Sequence, residues 1–252
     1  MTTDVPVNAV KISLELVDLI RELDGAGVSE VAREIDKPTS TIHDHLRTLE
    51  QMEYLVKEGD TYYVSTRFLQ LGAHARRRQK VFKIARPEIN ELAQITGEHA
   101  NLMIEEHGHG IFLYRSRGAD AVRLDTHAGM RVPLQTTALG KSILANRPRE
   151  EVESILDRHG LEAITDRTIT DREELFEALD RVREQGFAYD DEERVRGMRC
   201  VAAPILNQDD YAIAAVSVSG PKSRMREERF TEELPNQILK SANVIEVNLT
   251  YS

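Results

Sequence analysis

The sequence predicts an α+β protein built from an N-terminal winged helix-turn-helix, a connecting helix and a larger domain of mixed helices and strands. Two observations support this prediction. In residues 1–64, apolar residues at helical spacing precede two short strand-like runs that flank the turn Glu58-Gly59-Asp60. Beyond residue 86, helical and strand-like stretches are interspersed, and 252 residues suffice for two domains.

The first two predicted helices are short and amphipathic. The first has its apolar face at Ile12, Leu16, Leu19, Ile20 and Leu23. It is expected to end at Gly25 and Gly27. The second repeats apolar residues at Val28, Val31, Ala32 and Ile35, with Ser29 as a candidate N-cap. Lys37-Pro38 should end it, because proline disfavours helix at the preceding residue.

A third helix is predicted from Thr39, a good N-cap, with Ile42, Leu46 and Leu49 on its buried face. Small polar residues lie on the opposite face, where they allow close approach of a phosphate backbone. The candidate DNA-binding residues are Thr39, Ser40, Thr41, His43, Asp44 and Arg47. With the hairpin of residues 54–57 and 61–64, this pattern predicts a winged helix; a small helical bundle without a DNA role is the alternative.

The rest of the chain predicts one α+β domain after a connecting helix over residues 65–85. Arg76-Arg77-Arg78 in that helix could touch phosphates, although a solvated face is commoner for a charge run. Helices are predicted over 88–96, 138–145, 150–159 and 173–185 and from about 231. Strands are predicted over 100–105, 111–115, 122–126, 199–206 and 212–219.

Composition excludes several classes of protein. No apolar run approaches the ~18 residues of a membrane-spanning helix, and the first residues lack a signal-peptide pattern, so we expect a cytoplasmic protein with no membrane partner. A single cysteine, Cys200, excludes an intramolecular disulfide framework and a cysteine-rich zinc site.

The charge balance is acidic, with 33 basic and 43 acidic residues and a net charge of −10. Such a balance is not typical of a nucleic-acid-binding protein. Only 8 of the basic residues are lysine. Two explanations remain open: a salt-rich cytoplasm, where acidic surfaces keep proteins soluble, or a GC-rich genome, which favours arginine codons.

Four stretches, in order along nearly the whole chain, resemble the IclR family of bacterial and archaeal transcription regulators. They are residues 38–50, with Pro-Thr-Ser-Thr-Ile-His at the start; 133–141, Pro-Leu-Gln-Thr-Thr-Ala-Leu-Gly-Lys; 190–205, with Asp-Asp-Glu-Glu and Gly-Met-Arg-Cys-Val-Ala-Ala-Pro-Ile; and 214–221, Ala-Ala-Val-Ser-Val-Ser-Gly-Pro. The last three are specific. The resemblance implies a winged helix-turn-helix domain over 1–67, a linker helix over 68–85 and a GAF-like effector-binding domain over 86–252, in a homodimer or dimer of dimers.

Carried over by position, the family's small-molecule pocket implies effector contacts in this chain at Leu124, Ala138, Leu139, Asp190, Met198, Cys200, Ser217 and Ser219. Ala138 and Leu139 begin a predicted helix whose N–H groups suit a carboxylate. Ser217 and Ser219 are two apart on a strand and therefore share a face. Weak polar groups without catalytic geometry suit reversible binding of a small organic or sugar-derived acid.

The chain departs from the family pattern at four places. Asp44 stands where a basic residue is usual, Glu53 replaces a glycine, Val64-Ser65 replaces Leu-Gly, and Gln135 replaces a histidine. The first three concern the preference for DNA sequence, and the fourth concerns the choice of effector.

Other sites are weaker hypotheses. Gly140-Lys141-Ser142 mimics the end of a phosphate loop, but position 135 is glutamine instead of the required glycine. Cys200 in an apolar strand indicates a buried or pocket-lining residue rather than a nucleophile. His107 and His109, considered with His99 as metal ligands, are expected to be exposed. In residues 190–193, a solvated acidic loop is expected for all but Asp190. We therefore expect no catalytic residue, metal or cofactor.

The leading hypothesis is a regulator that binds double-stranded operator DNA with an affinity set by a small metabolite. Two alternatives remain: a ligand-binding signalling module without DNA binding, which Asp44 and the acidic N-terminal part favour, and a small-molecule enzyme with an accessory helical domain. The exposed polar face over residues 39–51 argues against the enzyme, which has no need for it.

Overall fold

The computed structural model describes residues 5–251, which form two compact units divided between residues 75 and 76. Both units combine helices and strands, so the predicted α+β fold class is confirmed. No helix among residues 5–251 is both long and apolar enough to span a membrane.

The N-terminal unit has its helices and strands in the order of a winged helix-turn-helix. They are α1 (Asn8–Glu22), β1 (Ala26–Gly27), α2 (Val28–Ile35), α3 (Thr39–Gln51), β2 (Leu55–Glu58), β3 (Thr61–Val64) and α4 (Arg67–Arg78), which runs into the second unit. The antiparallel sheet has the order β1-β3-β2. Leu16, Ile42 and Leu46 are fully buried at its core. Each such side chain stabilises the unit by about 2 kcal/mol.

Both predicted N-caps in this unit are wrong, Thr39 by one position and Ser29 by two. α2 begins at Val28 after extended Gly27, and α3 begins at Thr39 after extended Pro38; neither cap residue makes a side-chain cap bond. Ser29 and Thr39 therefore lie inside the helices, because the extended backbone before each helix already sets its start. α2 ends as expected before Lys37-Pro38, with Asp36 in the left-handed conformation at φ +51°.

The C-terminal unit is a single antiparallel sheet with helices on both faces. Its elements are α5 (Lys80–Thr96), β4 (His99–Glu106), β5 (His109–Arg117), β6 (Arg131–Pro133), α6 (Ala138–Ala145), α7 (Arg149–His159), α8 (Arg172–Gln185), β7 (Ala188–Asp191), β8 (Met198–Leu206), β9 (Ala212–Pro221) and α9 (Leu234–Thr250). A 3₁₀ turn precedes α6 and a π-helical turn precedes α9. The strand order is β6-β5-β4-β9-β8-β7.

Alternation along the strands divides the core into two layers. One face of the sheet, with Leu102, Val201 and Val218, packs against α5 and α9. The other face, with Met103 and Ala202, packs against a helical layer that includes α6 and α8. The candidate ligand residues project from this second face.

The predicted strand over residues 122–126 is wrong; the third strand of this region is β6, further along the chain. The carbonyls of residues 122, 124 and 126 accept hydrogen bonds from the side chains of His99 and Arg115. These side chains satisfy backbone groups that a neighbouring strand would otherwise pair.

The helical segment that joins the units is interrupted at Gln79, whose backbone is extended between α4 and α5. α5 continues through Pro87 instead of beginning after it. A proline inside a helix removes one backbone hydrogen bond. Here the buried face that includes Phe82, Ala85 and Ile89 holds both halves of α5 against the sheet.

Candidate functional site

A cavity opens on the face of the large sheet that α6 and α8 cover. It lies among β4, β8, β9 and the start of α6. The space in and before it, part of which is open solvent, amounts to about 440 Å³. Its lining residues are Asn101, Phe112, Leu124, Thr126, Thr137, Leu139, Asp190, Arg194, Val195, Met198, Arg199, Cys200, Ser217 and Ser219. Seven of the eight candidate effector residues therefore meet in one place. Ala138 does not line the cavity, although it is fully buried next to Leu139.

Strand register explains why residues far apart in sequence meet here. Asp190 on β7 pairs with Cys200 on β8, and Cys200 pairs with Ser219 on β9. In the next row, Ser217 pairs with Asn101 on β4. Paired residues of antiparallel strands project to the same face of a sheet. The sheet therefore presents two adjacent rows of small polar side chains to the cavity.

Asn101 connects the two serines. Its side-chain Nδ2 donates to Ser217 Oγ at 3.1 Å and to Ser219 Oγ at 3.2 Å. Both serine oxygens accept from Asn101. Ser217 also makes a side-chain hydrogen bond with Cys200, so the hydroxyl proton of Ser219 is the one left to point toward a bound acceptor. The resemblance did not indicate Asn101. Alternation along β4, in which odd-numbered residues share a face, could have indicated it.

The cavity is bounded on one side by a buried charge cluster. The ammonium of Lys141 on α6 pairs with the carboxylate of Glu193. The backbone N–H of Glu193 donates to Asp190 Oδ1 at 2.7 Å. Burial, reinforced by the nearby charge of Glu193, raises the pKa of Asp190 to about 7. Burial also raises the pKa of Glu193, against the opposing effect of Lys141.

The expectation of a solvated loop is wrong for Glu193, which is buried. It fails because Lys141, the lysine of the phosphate-loop mimic, points inward as the partner of Glu193. Gly140 lies in α6, and its N–H donates to Thr137 Oγ1 at 2.9 Å. A Cβ on Gly140 would lie only 1.9 Å from the carbonyl oxygen of Leu134. The Gly140-Lys141-Ser142 segment therefore serves packing.

Cys200 and His99, considered above for reactive or metal-binding chemistry, are both buried. Burial, reinforced by the charge of Asp190, raises the pKa of the Cys200 thiol far above its usual range, which leaves it protonated and unreactive. His99 is fully buried and bonds to Arg115 and the Val122 carbonyl. Among residues 5–251, no three histidine, cysteine or carboxylate side chains are grouped to hold a metal ion.

The N-terminal unit has a second candidate surface, on α3. Ile42 and Leu46 are buried, so the helix turns its polar face outward. The predicted DNA-binding residues Thr39, Ser40, His43, Asp44 and Arg47 are exposed, and Thr41 is half-buried. His43 Nδ1 lies 3.4 Å from Asp44 Oδ1, and the Asp44 side chain is 82% exposed. The exposed face of α3 therefore carries one carboxylate, Asp44, among side chains that can donate hydrogen bonds.

Comparison with known proteins assigns both units. The IclR helix-turn-helix domain model matches residues 9–59, and the model of the C-terminal domain of bacterial transcriptional regulator IclR matches residues 73–247, more than half of the chain. The chain belongs to the IclR family. Its IclR-family relatives are named as transcriptional regulators, not as enzymes.

Similar IclR-family proteins cover nearly the whole chain. The probable HTH-type transcriptional regulator ArcR of Halobacterium salinarum is 34% identical over 247 residues, 96% of this chain and 94% of the relative. The crystal structure of Thermotoga maritima IclR has a TM-score of 0.77 at 28% identity, covering 96% of this chain and 98% of that one. An IclR homolog from Microbacterium hydrocarbonoxydans, complexed with 4-hydroxybenzoate, shares the fold with a TM-score of 0.79 at 23% identity. The match covers 97% of this chain and 98% of the homolog.

The structure also shows how two departures from the IclR pattern are accommodated. Glu53 adopts the left-handed conformation at φ +64°, which suits the glycine usual there. Arg67 holds the Glu53 carboxylate at 3.1 Å, and Ser65 donates to the Glu53 carbonyl at 2.6 Å. Gln135 is buried outside the cavity, where its Nε2 donates to the Glu162 carbonyl at 3.4 Å.

Proposed function

We propose that this IclR-family protein binds operator DNA through α3 and that a small organic or sugar-derived acid, bound in the cavity, sets its operator affinity. The observation that supports this most directly is the meeting of Asn101, Asp190, Ser217 and Ser219 in one cavity. These residues come from three strands, β4, β7 and β9, and their polar atoms suit the hydroxyl and carboxylate groups of such a ligand.

The division of labour follows the two units. We assign DNA binding to residues 1–67, linkage to 68–85 and effector binding to 86–252. The division of the structure at residues 75 and 76 and the two matched family domains support this assignment. We further propose that the protein acts in the cytoplasm as a homodimer or dimer of dimers, the symmetry that a two-fold operator requires.

In the cavity, the start of α6 would receive the acid. Leu139 lies there in the first turn of the helix, where N–H groups attract anions. Asp190 remains protonated up to about pH 7 and can then donate to a carboxylate rather than repel it. Leu124 and Met198 supply apolar walls. The IclR homolog from Microbacterium hydrocarbonoxydans is complexed with 4-hydroxybenzoate, which also carries a carboxylate.

On the DNA side, Arg47 would contact a base edge or a phosphate, while Thr39, Ser40 and Thr41 at the start of α3 would contact phosphates. Asp44 would repel phosphate but can accept from a cytosine amino group. A second candidate function, a signalling module without DNA binding, is favoured by one observation: residues 1–75 have 7 lysines and arginines against 13 carboxylates.

Fluorescence anisotropy distinguishes the DNA-binding regulator from the signalling module. It measures binding of the protein to a labelled DNA duplex from upstream of the protein's own gene. We expect saturable binding that is lost in the double variant His43→Ala, Arg47→Ala. Arg21→Ala, an exposed arginine on α1, is the matched control and should bind like the wild type. An unchanged affinity in the double variant would exclude α3 as the DNA-binding surface.

The effector is then sought by thermal shift with a panel of organic and sugar-derived acids. A ligand that binds only the native state raises the melting temperature by mass action. Any acid that does so is added to the anisotropy assay, where we expect operator affinity to change. Binding of the acid without any change in operator affinity would favour the signalling module.

A further inference from the structure

Arg194 is a cavity-lining cation in the turn between β7 and β8, a position outside the residues that the family resemblance indicates. Its side chain is only 13% exposed and lies over the Phe112 ring at 5.6 Å. Its Nη1 donates to Thr126 Oγ1 at 3.2 Å, and Nη2 lies 3.3 Å from Met130 Sδ. Arg194 is therefore held in place at the edge of the cavity, with its guanidinium facing the residues that line it.

The carboxylate partner of Arg194 is poorly protected. Arg194 Nη2 lies 3.3 and 3.2 Å from the two oxygens of Asp125, whose side chain is 62% exposed. The other cavity-lining arginine, Arg199, holds the less exposed Asp191 with two nitrogens, at 2.9 and 3.0 Å, and the Met225 carbonyl with a third. Of these two cations, Arg194 has the more exposed partner, 62% against 36%, and holds it with one nitrogen instead of two, so its partner is the easier one for a ligand to replace.

Asp125 belongs to a segment, residues 118–130, that contributes both Leu124 and Thr126 to the cavity wall. The segment contains no helix or strand. Side chains hold the carbonyls on either side of Asp125: Arg115 binds those of Leu124 and Thr126, and Arg117 binds that of Ala121. Backbone bonds to β5 begin only at Gly129 and Met130. The carboxylate of Asp125 can therefore leave Arg194 without breaking a sheet ladder.

We propose that Arg194 binds the anionic group of the ligand and that Asp125 occupies that place on the guanidinium when no ligand is bound. The inference rests on the proposed function of the cavity and names the ligand class: a small polyhydroxy compound with a carboxylate or phosphate, whose hydroxyls meet Asn101, Ser217 and Ser219. An ion pair with a solvent-exposed partner is weak, whereas a charge-assisted contact inside the cavity is stronger. Ligand binding thus frees Asp125 and the segment around it.

The test measures calorimetric binding of D-gluconate, 6-phosphogluconate and neutral sorbitol to the full chain and to the variants Asp125→Asn, Arg194→Gln and Arg194→Lys. We expect Asp125→Asn to bind the preferred anion about tenfold more tightly, because it removes the competing carboxylate. We expect Arg194→Gln to bind it at least tenfold more weakly, with Arg194→Lys between, because lysine keeps the charge but not the paired donors. The ratio of gluconate to 6-phosphogluconate affinity identifies the anionic group.

Three outcomes would overturn the proposal: sorbitol binding as tightly as the anions, Arg194→Gln binding the anion as tightly as the wild type, or Asp125→Asn binding it more weakly. If Arg194→Gln does not fold, the Asp125→Asn and Arg194→Lys results decide. If an acid binds and changes operator affinity equally in the wild type and in Arg194→Gln, the proposed function stands and this inference fails. If neither acid binds any variant, the inference fails, and the operator assay alone then decides whether the protein is a DNA-binding regulator.

Discussion

Lys141 and Glu193 form an ion pair beside the candidate effector cavity, with side chains only 6% and 11% exposed. The pair joins α6 to the turn that follows β7, and the second Glu193 oxygen, Oε2, has no hydrogen-bond partner among residues 5–251. Two carboxylates, Asp190 and Glu193, thus share the environment of one lysine. Burial, reinforced by the nearby charge of Glu193, raises the pKa of Asp190 and explains why it holds a proton near neutral pH.

Removing the lysine should be strongly destabilising. We expect Lys141→Met to lower the free energy of unfolding by about 3–5 kcal/mol, because it leaves Glu193 buried without a partner. The double variant Lys141→Met, Glu193→Leu should recover most of this loss, since it removes both charges. Urea denaturation followed by circular dichroism measures the difference. A loss below about 1 kcal/mol in the single variant would contradict the uncompensated-charge argument.

The raised pKa of Asp190 predicts how stability depends on pH. The folded protein holds this proton up to about pH 7, whereas the unfolded chain releases it near pH 4. Stability is therefore highest below the unfolded pKa and falls as pH rises from about 4 to 7, by as much as about 1.4 kcal/mol per unit. Asp190→Asn should flatten this dependence and stabilise the protein at pH 7.5.

Asp191→Asn is the matched control for that measurement. Hydrogen bonding to Arg199 lowers the pKa of Asp191, so its contribution is lost only as pH falls below the ordinary range of the group. Unfolding free energies at several pH values between 4.5 and 7.5 should show the wild-type slope in Asp191→Asn. An unaltered slope in Asp190→Asn would show that Asp190 does not titrate in this window.

Glu53 should be a site where glycine stabilises the protein. A left-handed residue with a side chain is disfavoured by about 1–2 kcal/mol relative to glycine. The lost ion pair with Arg67 and the flexibility of glycine in the unfolded chain offset part of the gain. We expect Glu53→Gly to raise stability by roughly 0.5–1 kcal/mol, and Glu53→Ala to lower it. Melting temperatures that place Glu53→Gly below Glu53→Ala would contradict the backbone argument.

The acidic, lysine-poor composition predicts an unusual response to salt. If it reflects a salt-rich cytoplasm, the free protein should gain stability as KCl rises into the molar range, because the Debye length falls to ~3 Å at 1 M and repulsion among carboxylates is screened. Operator affinity should fall only slowly with salt, since an α3 surface with one exposed arginine and Asp44 releases few counterions.

One KCl series of melting curves and one of operator titrations test this prediction. A steep decline in operator affinity, together with maximal stability near ~0.1 M KCl, would refute the salt-rich interpretation. The relative from Halobacterium salinarum, at 34% identity, is the natural comparison protein for both series.

The sequence by itself determined the parts of the fold that depend on local periodicity and on specific motifs. The apolar face of α3, the hairpin after it and the helices α6, α7 and α8 follow from spacing, since a helix or strand buries one face regardless of its partner. The motifs around Gly140, Cys200 and Ser217 indicated the family. The family's pocket positions, carried over to this chain, then indicated seven residues that line the cavity.

Only the tertiary structure decided the features that depend on long-range pairing. The carbonyls of residues 122–126 bond to the side chains of Arg115 and His99, so an apparently strand-like run is irregular. Glu193 is buried because Lys141, 52 residues away, reaches it from another element. Asn101 lines the cavity because strand register places it opposite Ser217. Arg194 lines it because of the conformation of the turn between β7 and β8, which local sequence pattern does not predict. A charged or polar side chain is stable inside a protein only when a distant partner compensates it, and a single sequence does not specify that partner.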